Sequence, residues 1–194
     1  MVDRRQILLL GTAAALTAAP FRVQAAPVQA APMSRMTAYA FRFKGLDERD
    51  IALADYAGKP ILVVNTASHC GYTPQYAGLQ ALWTQYRERG LMVLGVPSND
   101  FGNQEPGGAV DISKIALQEY RVSFPLAAKA AVKGKDAHPF YRWAAEARPL
   151  ETPRWNFHKY LIGRDGQIKA AFPSAVTPND PRLIAAIEVE LAAG

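Results

Sequence analysis

The run "PILVVNTA", Pro60 to Ala67, constrains the fold of this chain more than any other stretch. It is a continuous apolar, β-branched segment without the polar alternation of a half-exposed strand, so both of its faces must be covered. A second such run, "LMVLGVP", spans Leu91 to Pro97. Between the two, Tyr76, Leu79, Leu82, Trp83 and Tyr86 recur at helical spacing, and Gly90 closes the segment. The pattern continues with a helix near residues 111–121, a short strand at "PLAAK", a helix near 138–147, and a last helix from Asn179. Before that last helix, "HKYLIG" and "QIKAAF" flank the turn Arg164-Asp165-Gly166 as a hairpin. Upstream, "AYAFRFKGLDERDIALADYAGK" alternates around a Gly-containing turn and reads as a two-stranded ribbon. Strands alternating with helices predict an α/β fold, and the closing hairpin makes its central sheet mixed. With 49% hydrophobic and 20% charged residues, the 194-residue chain can bury the core of one such domain. No internal repeat and no second domain is visible.

The first residues read as an address. "MVDRRQ" is basic, "ILLLGTAAALTAA" is modestly apolar, and "VQA" follows twice, ending at Ala25 and Ala30. This order of charged, apolar and small residues is that of a cleavable signal, residues 1–25, cut near Ala25 or Ala30. The pair Arg4-Arg5 resembles a twin-arginine signal, which would export the folded protein to the periplasm. The alternative, a retained anchor, is disfavoured because a spanning helix needs ~20 apolar residues. Residues 26–36, rich in Ala and Pro, form a linker, and the domain is expected over 37–194. Part of the formal net charge of +5 sits in the signal, where Arg4, Arg5 and Arg22 face only Asp3. The remaining basic residues form no stripe that could track phosphates, so no nucleic-acid partner is expected.

An exported protein meets an oxidising compartment, and Cys70 is the only cysteine in the chain. It follows the first buried strand and precedes a helix whose start is signalled by Thr73 and Pro74. Free N–H groups and the helix dipole at such a place favour the thiolate. A buried, inert cysteine is the competing reading. His69 reads as a solvated loop residue, and the three histidines show no ligand spacing with the cysteine, so no metal site is expected. Two further loops could contribute chemistry. "PSNDFGNQEPGG", Pro97 to Gly108, follows the second buried strand, where ligands bind in α/β sheets, and offers the neutral amides of Asn99 and Gln104. "TPRWNFHKYLIG" places Trp155 and Asn156 at the mouth of another strand; Trp155 is either a core aromatic or an indole donor.

The three stretches "VNTASHCGYTPQYAGLQALWTQY", "GLMVLGVPSNDFGNQEPG" and "WNFHKYLIGRDGQI", in this order and spacing, resemble the glutathione peroxidase family, as do Phe124-Pro125 and the "VKG" turn at 132–134. The resemblance covers about Thr37 to the C-terminus and implies a thioredoxin-like fold. Carried over by position, it implies Cys70 as the peroxide-reducing residue, with Gln104, Trp155 and Asn156 as its three companions. It also implies a thiol-dependent peroxidase of the sulfur branch, acting on hydrogen peroxide or organic and lipid hydroperoxides in the response to oxidative stress. Cys70 would attack a peroxide oxygen and become a sulfenic acid, with water or an alcohol leaving.

The chain departs from the family at the cysteines. Many sulfur members carry a resolving cysteine in the helix before "FP", but "DISKIALQEYRVSFP" has none. The aligned position is Ala116, and Ser98 and Asp100 stand where "PCNQFG" members have cysteine and glutamine. Regeneration is then expected from an external thiol, glutathione or a thioredoxin-like protein, with no bound cofactor. "AAEARPLETPRWNF" is short where tetrameric members carry an insertion, which implies a monomer with an open site; with the signal cleaved, no stable membrane span is expected. Two other readings remain open from the sequence: a peroxide sensor or relay in which Cys70 oxidises without efficient turnover, and a binding module on the same fold.

Overall fold

A computed structural model describes residues 36–193; the signal-like segment and the rest of the linker lie outside the described residues. The sheet is built on β3 (Ile61–Thr66), which pairs parallel with β4 (Met92–Pro97) and antiparallel with β5 (Lys159–Ile162); β6 (Ile168–Phe172) completes the order β4-β3-β5-β6. The ribbon predicted upstream is β1 (Arg42–Lys44) against β2 (Asp50–Ala52), with Phe43 opposite Ile51.

Side-chain alternation divides the interior into two cores. Ile61 and Val63 of β3, Met92 and Leu94 of β4, and Tyr160 and Ile162 of β5 face one layer, where Phe43 of the ribbon meets Phe140 and Trp143 of α3 (Pro139–Ala147). Leu62, Val64, Val93 and Leu161 face the other, under α1 (Gln75–Tyr86) and α4 (Pro181–Ala192). That is why the β3 sequence reads as unbroken apolar: each face has its own core. Helix α1 ends in a 3-10 turn at Arg87–Arg89 and is stopped by Gly90 at φ +107°, as its sequence suggests. Helix α4 starts two residues later than expected, with the Asp180 side chain accepting from the Arg182 N–H.

Three elements differ from their sequence expectations. "PLAAK" is no regular strand; it makes isolated bridges, Leu126 to Gly95 and Ala127 to Gly45, that lace the ribbon to the edge of β4. The helix expected near 111–121 starts as α2 (Ala109–Ser113) and widens into a π-helical turn over Lys114–Glu119, around the fully buried Ala116. Helical periodicity in sequence does not separate the two windings. Finally, α1 begins after a turn, at Gln75, with Pro74 as its N-cap, so Thr73 caps nothing in the helix.

Gly95 allows a close approach within the core. A Cβ built there would lie 2.5 Å from Leu126 Cδ2, so β4 accepts the bridging segment only because position 95 has no side chain. Gly95→Ala is expected to destabilise the protein by about 1–3 kcal/mol through overpacking. Urea titration should show a lower midpoint at unchanged slope; an unchanged midpoint would mean that Leu126 can retreat.

Candidate active site

The mixed pairing gathers the three loops. With Thr66 opposite Pro97 in the parallel pair, β3 and β4 end at the same edge of the sheet; antiparallel to β3, β5 begins there, with Lys159 opposite Val64. The segments leaving β3 and β4 and the segment entering β5 are those that carry Cys70, Gln104 and Trp155-Asn156.

Cys70 is buried, 7% exposed, in the core beneath α1. The turn around it is stapled by Thr73, whose hydroxyl accepts the Cys70 N–H at 3.0 Å and donates to the Ala67 carbonyl at 2.9 Å. The Tyr72 N–H points at Sγ at 3.4 Å, a bond that a thiolate accepts more strongly than a thiol. The sequence placed Cys70 against the helix start; the structure puts a turn between them, so the donor on sulfur comes from that turn and not from the first turn of α1. His69 is exposed, as expected.

The neighbouring loop is fastened by its own polar groups. The His69 N–H donates to the Gln104 carbonyl at 3.0 Å, joining it to the Cys70 turn. Asn99 is occupied in shaping the loop: its Oδ1 accepts the Glu105 N–H at 2.9 Å, and its Nδ2 reaches Asn103. Asp100 accepts the N–H groups of Val132 and Lys133 at 2.6 and 3.0 Å, pinning the loop to the "VKG" turn.

Gln104 and Asn156 are coupled directly. Asn156, fully buried, donates from Nδ2 to Gln104 Oε1 at 2.9 Å, which turns the Gln104 amide so that its Nε2 hydrogens remain for another acceptor. Asn156 therefore orients Gln104, where the sequence suggested only that both were donors. Trp155 is 39% exposed; its ring leans on Phe101 at 5.9 Å, and a Cβ at Gly102 would meet it at 3.3 Å. Its carbonyl accepts from Asn65 Nδ2 at 3.1 Å, and the Phe157 N–H donates to the Asn65 carbonyl at 2.6 Å. Asn65 thus holds the Trp155–Phe157 bend, in which Phe157 adopts φ +62°. Among the described residues, no group of three His, Cys, Asp or Glu could hold a metal ion.

The glutathione peroxidase family model matches residues 38–145. The hydroperoxy fatty acid reductase gpx1 of Synechocystis sp. is 42% identical over 153 residues, covering 74% of this chain and 90% of that protein. The chain belongs to the glutathione peroxidase family. A glutathione peroxidase of Lactococcus lactis is 39% identical over 148 residues, 75% of this chain and 94% of that one. Among solved structures, apo Trgpx is 35% identical with a TM-score of 0.64, covering 80% of this chain and 97% of its own. A thioredoxin family thiol:disulfide interchange protein from Chlorobium tepidum, 13% identical, superposes with a TM-score of 0.60 over 78% of this chain and 92% of its own, a likeness of fold alone. The fold of this glutathione peroxidase family member is thioredoxin-like.

Sequence reasoning missed two buried charged residues beside the site, Glu105 and Lys159. Both sit within the quoted motifs, but an isolated Glu or Lys in a sequence gives no sign of burial. Lys159 donates to the Phe157 carbonyl and to Gln75 Oε1, both at 2.7 Å, and Gln75 in turn donates to the Ser174 carbonyl. The amine therefore ties the bend before β5 to the first residue of α1. Burial pushes its pKa down to about 7. In the unfolded chain the amine stays protonated up to the ordinary lysine range, so between these limits unfolding takes up a proton and raising the pH stabilises the fold. Relative to Lys159→Met, the wild type should gain up to about 1.4 kcal/mol per pH unit above about pH 7. Urea titrations at several pH values would check this; parallel curves for the two proteins would show that the amine stays charged in the fold.

Proposed function

We propose that Cys70 is the reacting thiol of this thiol peroxidase, and that Gln104, Trp155 and Asn156 are its working companions. The observation that carries the assignment is the Asn156–Gln104 bond, which presents the Gln104 amide donor in the loop tied to the Cys70 turn. The Cys70 thiolate attacks one peroxide oxygen, and the O–O bond breaks. Sulfur is oxidised to sulfenic acid, and the distal oxygen leaves as water or an alcohol after taking a proton. Gln104 Nε2 and the Trp155 indole N–H are neutral donors for the charge that develops on the departing oxygen, and the Tyr72 N–H stabilises the sulfur before attack.

Regeneration comes from an external thiol. The family uses a thiol reductant, and Cys70 is the only cysteine in the chain, so glutathione or a small thioredoxin-like protein must attack the oxidised sulfur directly. Ala116 is fully buried in the same core as Cys70, so the π-helical segment has no cysteine to deliver and no cause to unwind during the cycle. The substrates include bulky organic hydroperoxides as well as hydrogen peroxide. In support, a groove of about 490 Å³ lies against Trp155, the one proposed site residue that lines it, with Leu150, Arg154, His158, Ala171 and Pro173. We further propose that the N-terminal segment directs the mature protein to the periplasm, where it acts as a monomer. Among the described residues, no helix is long and apolar enough to cross a membrane.

The test is peroxide consumption by the mature protein with glutathione and, separately, with a thioredoxin system. Multiple turnovers that vanish in Cys70→Ser are expected; a single oxidation without recycling would favour a sensor, and no reaction a binding module. Gln104→Ala should lower the peroxide rate by roughly a hundredfold or more, the usual cost of one oriented donor, and Asn156→Ala should follow it in the same direction. An unchanged rate in Gln104→Ala would remove that residue from the mechanism. Intact mass after one equivalent of peroxide should show an added oxygen on Cys70; a loss of two hydrogens within one chain would refute the single-thiol cycle.

A further inference from the structure

Glu105 follows Gln104 directly, yet while Gln104 is half-buried Glu105 is 1% exposed. Its Oε2 accepts from the Ser68 hydroxyl at 3.1 Å, and Ser68, itself buried, lies two residues before Cys70. Beside this bond runs the one from the His69 N–H to the Gln104 carbonyl at 3.0 Å. The Glu105 backbone is held as well, its N–H on Asn99 and its carbonyl under Lys129 Nζ at 3.1 Å. Ser68-His69 and Gln104-Glu105 are therefore joined by one side-chain and one main-chain bond.

Among the described residues, the second carboxyl oxygen, Oε1, has no partner, and neither do the buried hydroxyls of Thr66 and Tyr76. Burial chiefly opposes ionisation of the Tyr76 phenol, and the charge of Glu105 opposes it further, while the Thr66 hydroxyl favours it. Among the described residues, no cation pairs with the carboxyl. Lys129 is spent on the carbonyls of Glu105, Pro106 and Gly107, and His69 faces solvent. A lone carboxylate in such a place is costly, whereas a neutral carboxyl keeps the bond from Ser68 without that cost.

We propose that Glu105 is a positioning residue for peroxide reduction: its buried carboxyl, bonded to Ser68, holds the turn that carries Cys70 against the loop that carries Gln104. The proposal rests on the roles given above to Cys70 and Gln104. It also has a pH dependence. Burial raises the Glu105 pKa, against smaller opposing pulls from Ser68, His69 and Lys129. In an opened loop the carboxyl meets water and returns to its ordinary value. The closed arrangement is therefore favoured fully below the ordinary carboxylate range and loses that advantage as the pH rises through the raised value.

The experiment compares wild type, Glu105→Gln, Glu105→Ala and Ser68→Ala by two readouts: the single-turnover rate of Cys70 with hydrogen peroxide, and amide hydrogen exchange at His69, corrected for intrinsic rates, from acidic to neutral pH. Glu105→Ala is expected to slow the peroxide reaction by roughly ten- to a hundredfold, as small misplacements of reacting groups do, and to speed His69 exchange. Glu105→Gln, which still accepts from Ser68 and cannot ionise, should keep the wild-type rate and lose the pH dependence of His69 protection. A folded Glu105→Ala protein with wild-type rate and wild-type His69 exchange overturns the proposal, and so does a Glu105→Gln protein as slow as Glu105→Ala. Should Glu105→Ala fail to fold, Ser68→Ala decides by the same two readouts: a slower reaction with faster His69 exchange upholds the clamp, and unchanged values overturn it. If wild-type Cys70 does not react with peroxide, the assignment of Cys70 fails on its own, and His69 exchange still decides whether the clamp exists.

Discussion

Strand β3 is buried on both faces and paired along both edges, and the rest of the molecule is arranged around that condition. A parallel neighbour on one side requires a crossover, which is α1, and the chain enters α1 through the Cys70 turn. An antiparallel neighbour on the other side starts at the edge where β3 stops, so the Trp155-Asn156 bend arrives beside that turn. The register is held by the two cores. A slip of one residue in β5 would send Tyr160 and Ile162 into the α1 layer and Lys159 into the aromatic layer of Phe140 and Trp143.

At this edge the protein uses neutral donors and hydrogen-bonded carbonyls in place of ion pairs. Gln104, Asn156, Asn65 and the Tyr72 N–H carry the polar work, while the ion pairs of the described residues lie on the surface, away from the thiol. The two charged side chains that are buried nearby, Glu105 and Lys159, are each bonded to uncharged partners, and burial moves the pKa of each toward its neutral form. A dry environment strengthens each hydrogen bond that is made and penalises each one that is missing, so such a network holds its geometry closely. Orphaned buried atoms occur both in the segments that form this edge, at Asn65, Thr66, Glu105 and Asn156, and in the opposite core, at Tyr141 and Trp143.

The Synechocystis and Lactococcus relatives match about three quarters of this chain at about 40% identity. The helix after the Gln104 loop holds no cysteine. Ala116 is packed into the thiol's core and its carbonyl accepts the Val122 N–H at the close of the π-helical turn. A small residue there completes the packing and brings no second thiol, which is why regeneration was proposed to come from an external one.

The sequence by itself determined the layered α/β architecture, because two apolar runs of strand length separated by a helical period can be buried in few other ways. It also determined Cys70 as the candidate thiol, from its uniqueness and its place at a strand end. Periodicity and turn chemistry are local, and local signals located β3, β4, α1, the ribbon and the closing hairpin. What only the tertiary structure decided is long-range. The Asn156–Gln104 bond joins residues 52 apart in sequence, and the Ser68–Glu105 bond residues 37 apart. The edge bridges of Leu126 and Ala127 depend on Gly95 and Gly45, and the burial of Lys159 depends on Gln75. None of these can be read from a single segment, because the partner that makes a polar side chain worth burying is supplied by another part of the chain.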